Sequence, residues 1–383
     1  MSILPSRSYR LAGTLGGALM LAGCATLPAS GPTAGQIVRG ARPAQNTLGF
    51  RLVDIDPASV AEAATIQTAS DGRLPTLATL AAEGRNDVVG AGDVLTINIY
   101  EVGATLFGGA RQTSDAFDPS ARGEAFPAVP VDKDGTIKLP YIGRLQVAGR
   151  TPGEIQGMIE RGLSGKSQSP QALVTIRTNV SNTVFVGGDV RRPGRLELSL
   201  QRERLLDAVA SAGGAANSSE DTVVRFNRGA RTVEERLGRI RSGAVDDLVL
   251  VPGDRIELIK RPRSFIVLGA TTRVSQVAFE TGDLSLAEAV ARAGGPNDNT
   301  ADPSAVFVFR YDPQVDGAAA VPVVYRLNLM KPASYFLSQR FAMRDKDVIY
   351  IGNAAANQPA KLVGIINQLF TPFVTARVLT NNN

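Results

Sequence analysis

Hydrophobic and polar positions alternate sharply from about residue 86 onward. Leu95, Ile97 and Ile99 alternate with Thr96 and Asn98 behind a Gly90-Ala91-Gly92-Asp93 turn, the period-2 pattern of a half-buried strand. Val129 and Val131 lead through Asp132-Lys133-Asp134-Gly135 into Thr136-Ile137-Lys138-Leu139. Asp-Gly between alternating segments predicts a hairpin, because Gly reaches positive φ at little cost. Asp132 and Asp134 also invite a calcium reading, but the further acids and the closing Glu of an EF-hand loop are missing. Thr151-Pro152-Gly153-Glu154 then places Thr at the N-cap, Pro at the first helical position and Glu at the third, a capping box. Ile155, Met158 and Ile159 mark the buried face of that helix. Gly165-Lys166-Ser167 is no nucleotide loop, since position 160 is Glu and a helix precedes it. Leu173-Val174-Thr175-Ile176 reads as another strand.

The pattern then repeats. Val184-Phe185-Val186-Gly187-Gly188 recurs as Phe265-Ile266-Val267-Leu268-Gly269. Ala208-Val209-Ala210-Ser211-Ala212-Gly213-Gly214 recurs as Ala289-Val290-Ala291-Arg292-Ala293-Gly294-Gly295, at the same offset of 81 residues. Each copy predicts a strand, a short apolar-faced helix and a Gly pair that ends the helix. Ser285 and Glu288 add a capping box to the second copy. A third recurrence is wider: Gly92-Asp93, Gly253-Asp254 and Lys346-Asp347 each precede a strand. Apolar residues stand two and four positions after each Asp: Leu95 and Ile97, Ile256 and Leu258, Ile349 and Ile351. Neither signature suggests a parallel doubly wound sheet. Residues 41–84 carry little pattern.

Composition narrows the chemistry. The 383 residues include no histidine and one cysteine, which excludes His-based catalytic triads, imidazole metal sites, an intrachain disulfide and multi-cysteine metal sites. That cysteine closes Leu21-Ala22-Gly23-Cys24. Before it lie basic Arg7 and Arg10 and an uncharged run from Leu11 to Gly23, the layout of a secretory signal. The run is too short to span a bilayer, which needs about 20 apolar residues. Removing residues 1–23 lowers Lys plus Arg from 41 to 39 against 36 Asp plus Glu. That balance and the few aromatics argue against a nucleic-acid partner. Arg191, Arg192, Arg195, Arg202 and Arg204 invite an acidic glycan, but a charge run is more commonly a solvated face.

Leu-Ala-Gly-Cys resembles a bacterial lipobox. The lipobox, Val89 to Leu95, the block from Asp134 to Gly143, Val147-Ala148-Gly149-Arg150-Thr151 with its helix, and Asp345 to Ile351 together resemble bacterial outer-membrane polysaccharide exporters of the Wza type. The two Gly-pair modules resemble that family's soluble-ligand-binding β-grasp (SLBB) repeats. The resemblance implies cleavage before Cys24, acyl chains on Cys24 and, with Ala25 in place of the retaining Asp, an outer-membrane address. It further implies a ring, typically an octamer, and delivery of polysaccharide by an inner-membrane co-polymerase or ABC exporter. A final helix from each subunit would cross the outer membrane, leaving the C-terminus at the cell surface.

The last segment can be placed on a helical wheel at about 100° per residue. Leu362, Val363, Ile365, Ile366, Leu369, Phe370, Phe373 and Val374 fall on one side and are the candidate lipid-facing positions. Lys361, Gly364, Asn367, Gln368, Thr371 and Thr375 fall on the other and are the candidate pore lining. A polar stripe cannot face lipid, so several such helices would enclose water, the alternative being an amphipathic helix packed on its own domain. Pro372 should kink this helix.

The expected fold class is therefore α+β: a lipoprotein signal over 1–23, a tether and uncharacterised segment over 24–84, and a polysaccharide-export domain over 85–180. SLBB-like modules follow over 181–262 and 263–353, then a C-terminal amphipathic transmembrane helix and tail over 354–383. The expected function is a passive, cofactor-free, non-enzymatic channel for capsular or exopolysaccharide. A glycan-binding or structural lipoprotein without a pore is the alternative. A glycosidase needs a paired-carboxylate signature, and none stands out.

Overall fold

The computed structural model describes residues 31–71, 75–101, 106–107, 122–314 and 319–355. Its helices in chain order are α1 (Ala34–Gly40), α2 (Pro57–Asp71), α3 (Pro152–Leu163), α4 (Leu205–Ser211), α5 (Leu286–Arg292) and α6 (Pro332–Arg340). The first eight strands are β1 (Arg51–Asp54), β2 (Val94–Glu101), β3 (Arg122–Pro130), β4 (Thr136–Leu139), β5 (Gly143–Gln146), β6 (Gln171–Thr178), β7 (Thr183–Gly188) and β8 (Gly194–Glu197). The remaining eight are β9 (Thr222–Arg228), β10 (Arg231–Arg236), β11 (Arg255–Lys260), β12 (Ser264–Gly269), β13 (Ser275–Ala278), β14 (Ala301–Asp312), β15 (Val321–Leu327) and β16 (Val348–Asn353). The chain divides into two compact units, residues 75–262 and residues 1–74 with 263–383.

Within 75–262, β2 lies between β3 and β6 in an antiparallel sheet. Its alternation drives Leu95, Ile97 and Ile99 into full burial against Ile155, Ile159 and Leu163 of α3. The Thr151–Glu154 capping box that opens α3 forms as the spacing predicts. The Asp-Gly turn forms as expected, but the flanking strands take other partners. β4 pairs with β5, whereas β3 pairs with β2. The Asp132 carboxylate accepts the Asp134 and Thr136 N–H groups and the Thr136 hydroxyl. Those bonds reinforce a backbone turn in which the Asp132 N–H donates to the Thr136 carbonyl and the Gly135 N–H to the Asp132 carbonyl.

The repeat folds twice in the same way. Strand order β10-β9-β11-β7-β8 in the first module matches β15-β14-β16-β12-β13 in the second. In both, the first strand pairs in parallel with the last, β7 with β11 and β12 with β16, and the helix lies in the crossover. The expectation of an α+β chain is corrected here: the sheets are mixed α/β, because each module returns its last strand beside its first in the same direction. Gly188 and Gly269 show why glycine recurs at the end of the opening strand. Both have positive φ, and an added Cβ would stand 2.1 Å from the carbonyl oxygen of Leu258 or Ile351.

The weakly patterned stretch over residues 41–84 is structured in two places. Leu77 and Leu80 of a 3-10 turn join the core of the first module. β1 adds a sixth strand in parallel beside β15, and Val60 and Ala63 of α2 enter the second module's core. On the other face of that sheet, Ile37 of α1 packs with Phe307, Val324 and Tyr350.

The expected transmembrane helix is also corrected. Among the described residues no helix is long and apolar enough to cross a membrane. The longest, α2, has 15 residues, short of the roughly 20 a span needs. The wheel positions from Lys361 to Thr375, and Cys24, lie outside the described residues.

Candidate functional site

The three Asp turns that recur in sequence become three buried carboxylates. Asp93, Asp254 and Asp347 are each at most 1% exposed. Each accepts the backbone N–H of the residue three positions earlier, from Gly90, Val251 and Arg344 respectively. A buried carboxylate needs further partners or it is strongly disfavoured. In the modules an arginine supplies them. Arg228 holds Asp254 through two hydrogen bonds of 2.9 and 2.6 Å, and Arg310 holds Asp347 at the same two distances. This fork-to-carboxylate geometry fixes orientation as well as charge.

Composition singles out neither arginine, yet the order of residues carries a signal for both. Val224, Phe226 and Arg228 alternate on one face of β9, as Val306, Val308 and Arg310 do on β14. An arginine in phase with a buried face demands a buried acid. Arg228 also lies 5.2 Å above the Phe226 ring, and Arg310 4.8 Å above Phe341.

Asp93 solves the same problem without arginine. It accepts N–H groups from Val180 and Ser181 and the Ser181 hydroxyl, and Asn182 donates to the Val88 carbonyl. The export domain is thereby joined to the opening strand of the first module through one buried carboxylate. An added Cβ at Gly90 would meet Ser181 at 2.3 Å, so the turn can sit this close only as glycine.

The second module extends its centre. Arg344 reaches Asp312 at 2.5 Å and donates to the Ala63 carbonyl of α2 at 2.9 Å. Tyr325 donates to Asp312 at 2.5 Å. Burial and the adjacent Asp312 push the Tyr325 hydroxyl well above its ordinary range, so it stays protonated as a donor. Burial and the neighbouring Arg310 lower the Arg344 guanidinium from its usual value. These groups form a closed lattice of donors matched to acceptors, suited to rigidity and offering no free base. Among the described residues no cluster of three His, Cys, Asp or Glu is arranged to hold a metal.

Three arginines of the five-arginine run bond within the chain. Arg192 donates to the Ser211 carbonyl, Arg195 to the Thr183 hydroxyl and Arg204 to the Asp247 carbonyl. Arg191 and Arg202 are exposed. The chain uses three of the five to tie its own loops.

Two SLBB-type modules behind an export domain define a class, and comparison with known proteins agrees. Residues 81–177 match the polysaccharide biosynthesis/export protein family, and residues 183–236 and 263–351 each match the SLBB domain. The chain is 34% identical over 376 residues to the capsule polysaccharide export protein BexD of Haemophilus influenzae, covering 92% of this chain and 94% of that one. It is 31% identical over 389 residues to the capsule polysaccharide export outer membrane protein CtrA of Neisseria meningitidis serogroup A, covering 94% and 95%. It is 29% identical over 283 residues to the Vi polysaccharide export protein VexA/TviF of Salmonella typhi, covering 73% and 78%. The chain belongs to the polysaccharide biosynthesis/export family.

Proposed function

We propose that this protein exports a capsular polysaccharide across the outer membrane, acting as a conduit and not as an enzyme. Similarity along nearly the whole chain to proteins named as capsule exporters carries this reading. Several copies would close into a ring whose hydrated lumen passes the polymer, supplied by an inner-membrane co-polymerase or ABC exporter. The buried Arg–Asp centres suit such a ring, because modules under load from a moving polymer must keep their shape. Cys24, freed by signal removal, carries the acyl chains that hold the assembly to the membrane. Each buried methylene contributes about 0.8 kcal/mol, so several chains anchor it durably.

Deleting the gene should leave polymer synthesis running while the product accumulates in the periplasm and disappears from the surface. Undiminished surface polymer would sink the export reading. Electron microscopy of the detergent-extracted protein should show closed rings, and monomers there would overturn the conduit.

A further inference from the structure

We propose that one end of the second module is a lipid-contact rim, built on the start of α6 and the β12–β13 loop, that rests in the leaflet carrying the Cys24 acyl chains. The inference rests on the reading of Cys24 given above, and three observations lead to it.

The first is where the chain enters the module. Tyr350 donates to the Pro32 carbonyl and Asn353 to the Gly31 carbonyl, so Gly31 is fixed at the C-terminal end of β16. Six residues, and so seven residue-to-residue steps, separate Cys24 from Gly31. At no more than about 3.6 Å per residue they span at most about 25 Å, so an acylated Cys24 holds this end of the sheet close to the lipid surface.

The second is what lies at that end. β16 and β12 are parallel, with Gly269 beside Ile351, so the loop after β12 is there too. β15 ends at Leu327, opposite Val306, which in turn pairs with Ile351, and α6 starts five residues later. Val274 in the loop is 62% exposed and Met330 before α6 is 69% exposed.

The third is the inverted face of α6. It turns Ser334, Ser338 and half-buried Leu337 inward and leaves Tyr335 56% and Phe336 71% exposed. A helix packed only for its own domain would turn its aromatics inward. Side chains on a helix lean toward its N-terminus, which here is the anchored end. Lys331 and Arg273 flank this surface, while Asp54, Asp56 and Asp298 at the same end balance them. Apolar contact, with an aromatic and cationic edge at headgroup level, is therefore what the rim offers, and net charge is not.

The protein contains no tryptophan, so a single introduced one reports its own surroundings. Full-length Phe336→Trp would be reconstituted into vesicles of phosphatidylethanolamine and phosphatidylglycerol, with either plain or brominated acyl chains. Tyr311→Trp serves as reference, since Tyr311 is exposed toward the opposite end of β14. Met330→Trp repeats the test should Phe336→Trp fold poorly. The proposal expects blue-shifted emission at position 336 that brominated chains quench, and no quenching at position 311. Absence of quenching at 336 overturns the rim. Equal quenching at both positions overturns it too, as nonspecific insertion. A blue shift indifferent to bromination overturns it in favour of contact with a second copy. Intact-mass measurement of the same samples reads the acyl chains on Cys24 separately. Acylated protein without quenching defeats the rim alone, and unacylated protein defeats the anchor reading whatever the fluorescence shows.

Discussion

Arg310 and Asp347 are 3% and 1% exposed, and that burial sets the energy scale of the pair. Removing one member of a buried pair leaves an uncompensated charge, a loss of about 3–5 kcal/mol. Arg310→Met should destabilise the protein by that amount in chemical denaturation, and Arg310→Met with Asp347→Leu should recover only part of it, because the Arg344 N–H then lacks its acceptor. The Arg225–Glu234 pair, with both side chains a third or more exposed, should cost no more than about 1 kcal/mol when broken. Lys346 is the other telling residue. It occupies the position of Gly92 and Gly253 and shares their left-handed backbone, with φ of 67°. A non-glycine residue there is strained by about 1–2 kcal/mol, while glycine adds about 0.4–1 kcal/mol of unfolded-state entropy. Lys346→Gly should therefore stabilise the protein by a net amount of about 0.5–1 kcal/mol, read as a raised melting temperature.

Elements owe their limits to local chemistry that the chain states openly. α3 and α5 begin at capping boxes, Thr151 with Glu154 and Ser285 with Glu288, and both form. The Ser285 backbone N–H, followed by its hydroxyl, holds the Glu288 carboxyl below the ordinary carboxylate value. A carboxylate depressed in the folded state contributes stability above its unfolded pKa and loses it as pH falls through the folded one. The stability gap between wild type and Glu288→Ala should accordingly be full at neutral pH and close progressively below pH 4.5, the residue's ordinary value. A gap that persists at low pH would mean Glu288 acts by packing. Strand partners obey another rule. The Asp-Gly turn is legible at Asp132–Gly135, but that β4 joins β5 is not, since partner choice depends on the rest of the fold.

For the molecule as a whole, the proposed anchor makes a direct prediction. Cys24→Ser should abolish palmitate labelling and leave the signal segment attached, detectable as a precursor of higher mass. Labelling that survives this change would move the anchor elsewhere. With Cys24 acylated as proposed, the short stretch to Gly31 would keep that end of β16 near the lipid. The expected membrane-crossing helix receives no support from the described helices, so the function proposed above rests on the modules and their similarity to exporters.

Reading the residues alone reaches the modular plan. Period-2 alternation, capping boxes, Gly pairs and the 81-residue offset are local or repeated signals, and local signals survive without a tertiary context. The missing histidines and single cysteine likewise narrow the chemistry before any fold is known. The tertiary structure alone decides which strands lie side by side, because β7 meets β11 and β12 meets β16 across the length of a module. It alone reveals that β1 and the 77–80 turn belong to module sheets and cores, for their partners are distant and their own patterns too short to read. It also turns three recurring aspartates into buried anchors. Sequence marks their spacing, but the need for buried donors, a guanidinium for two of them and N–H and hydroxyl groups for Asp93, arises only when folding removes the water that would otherwise solvate the charge.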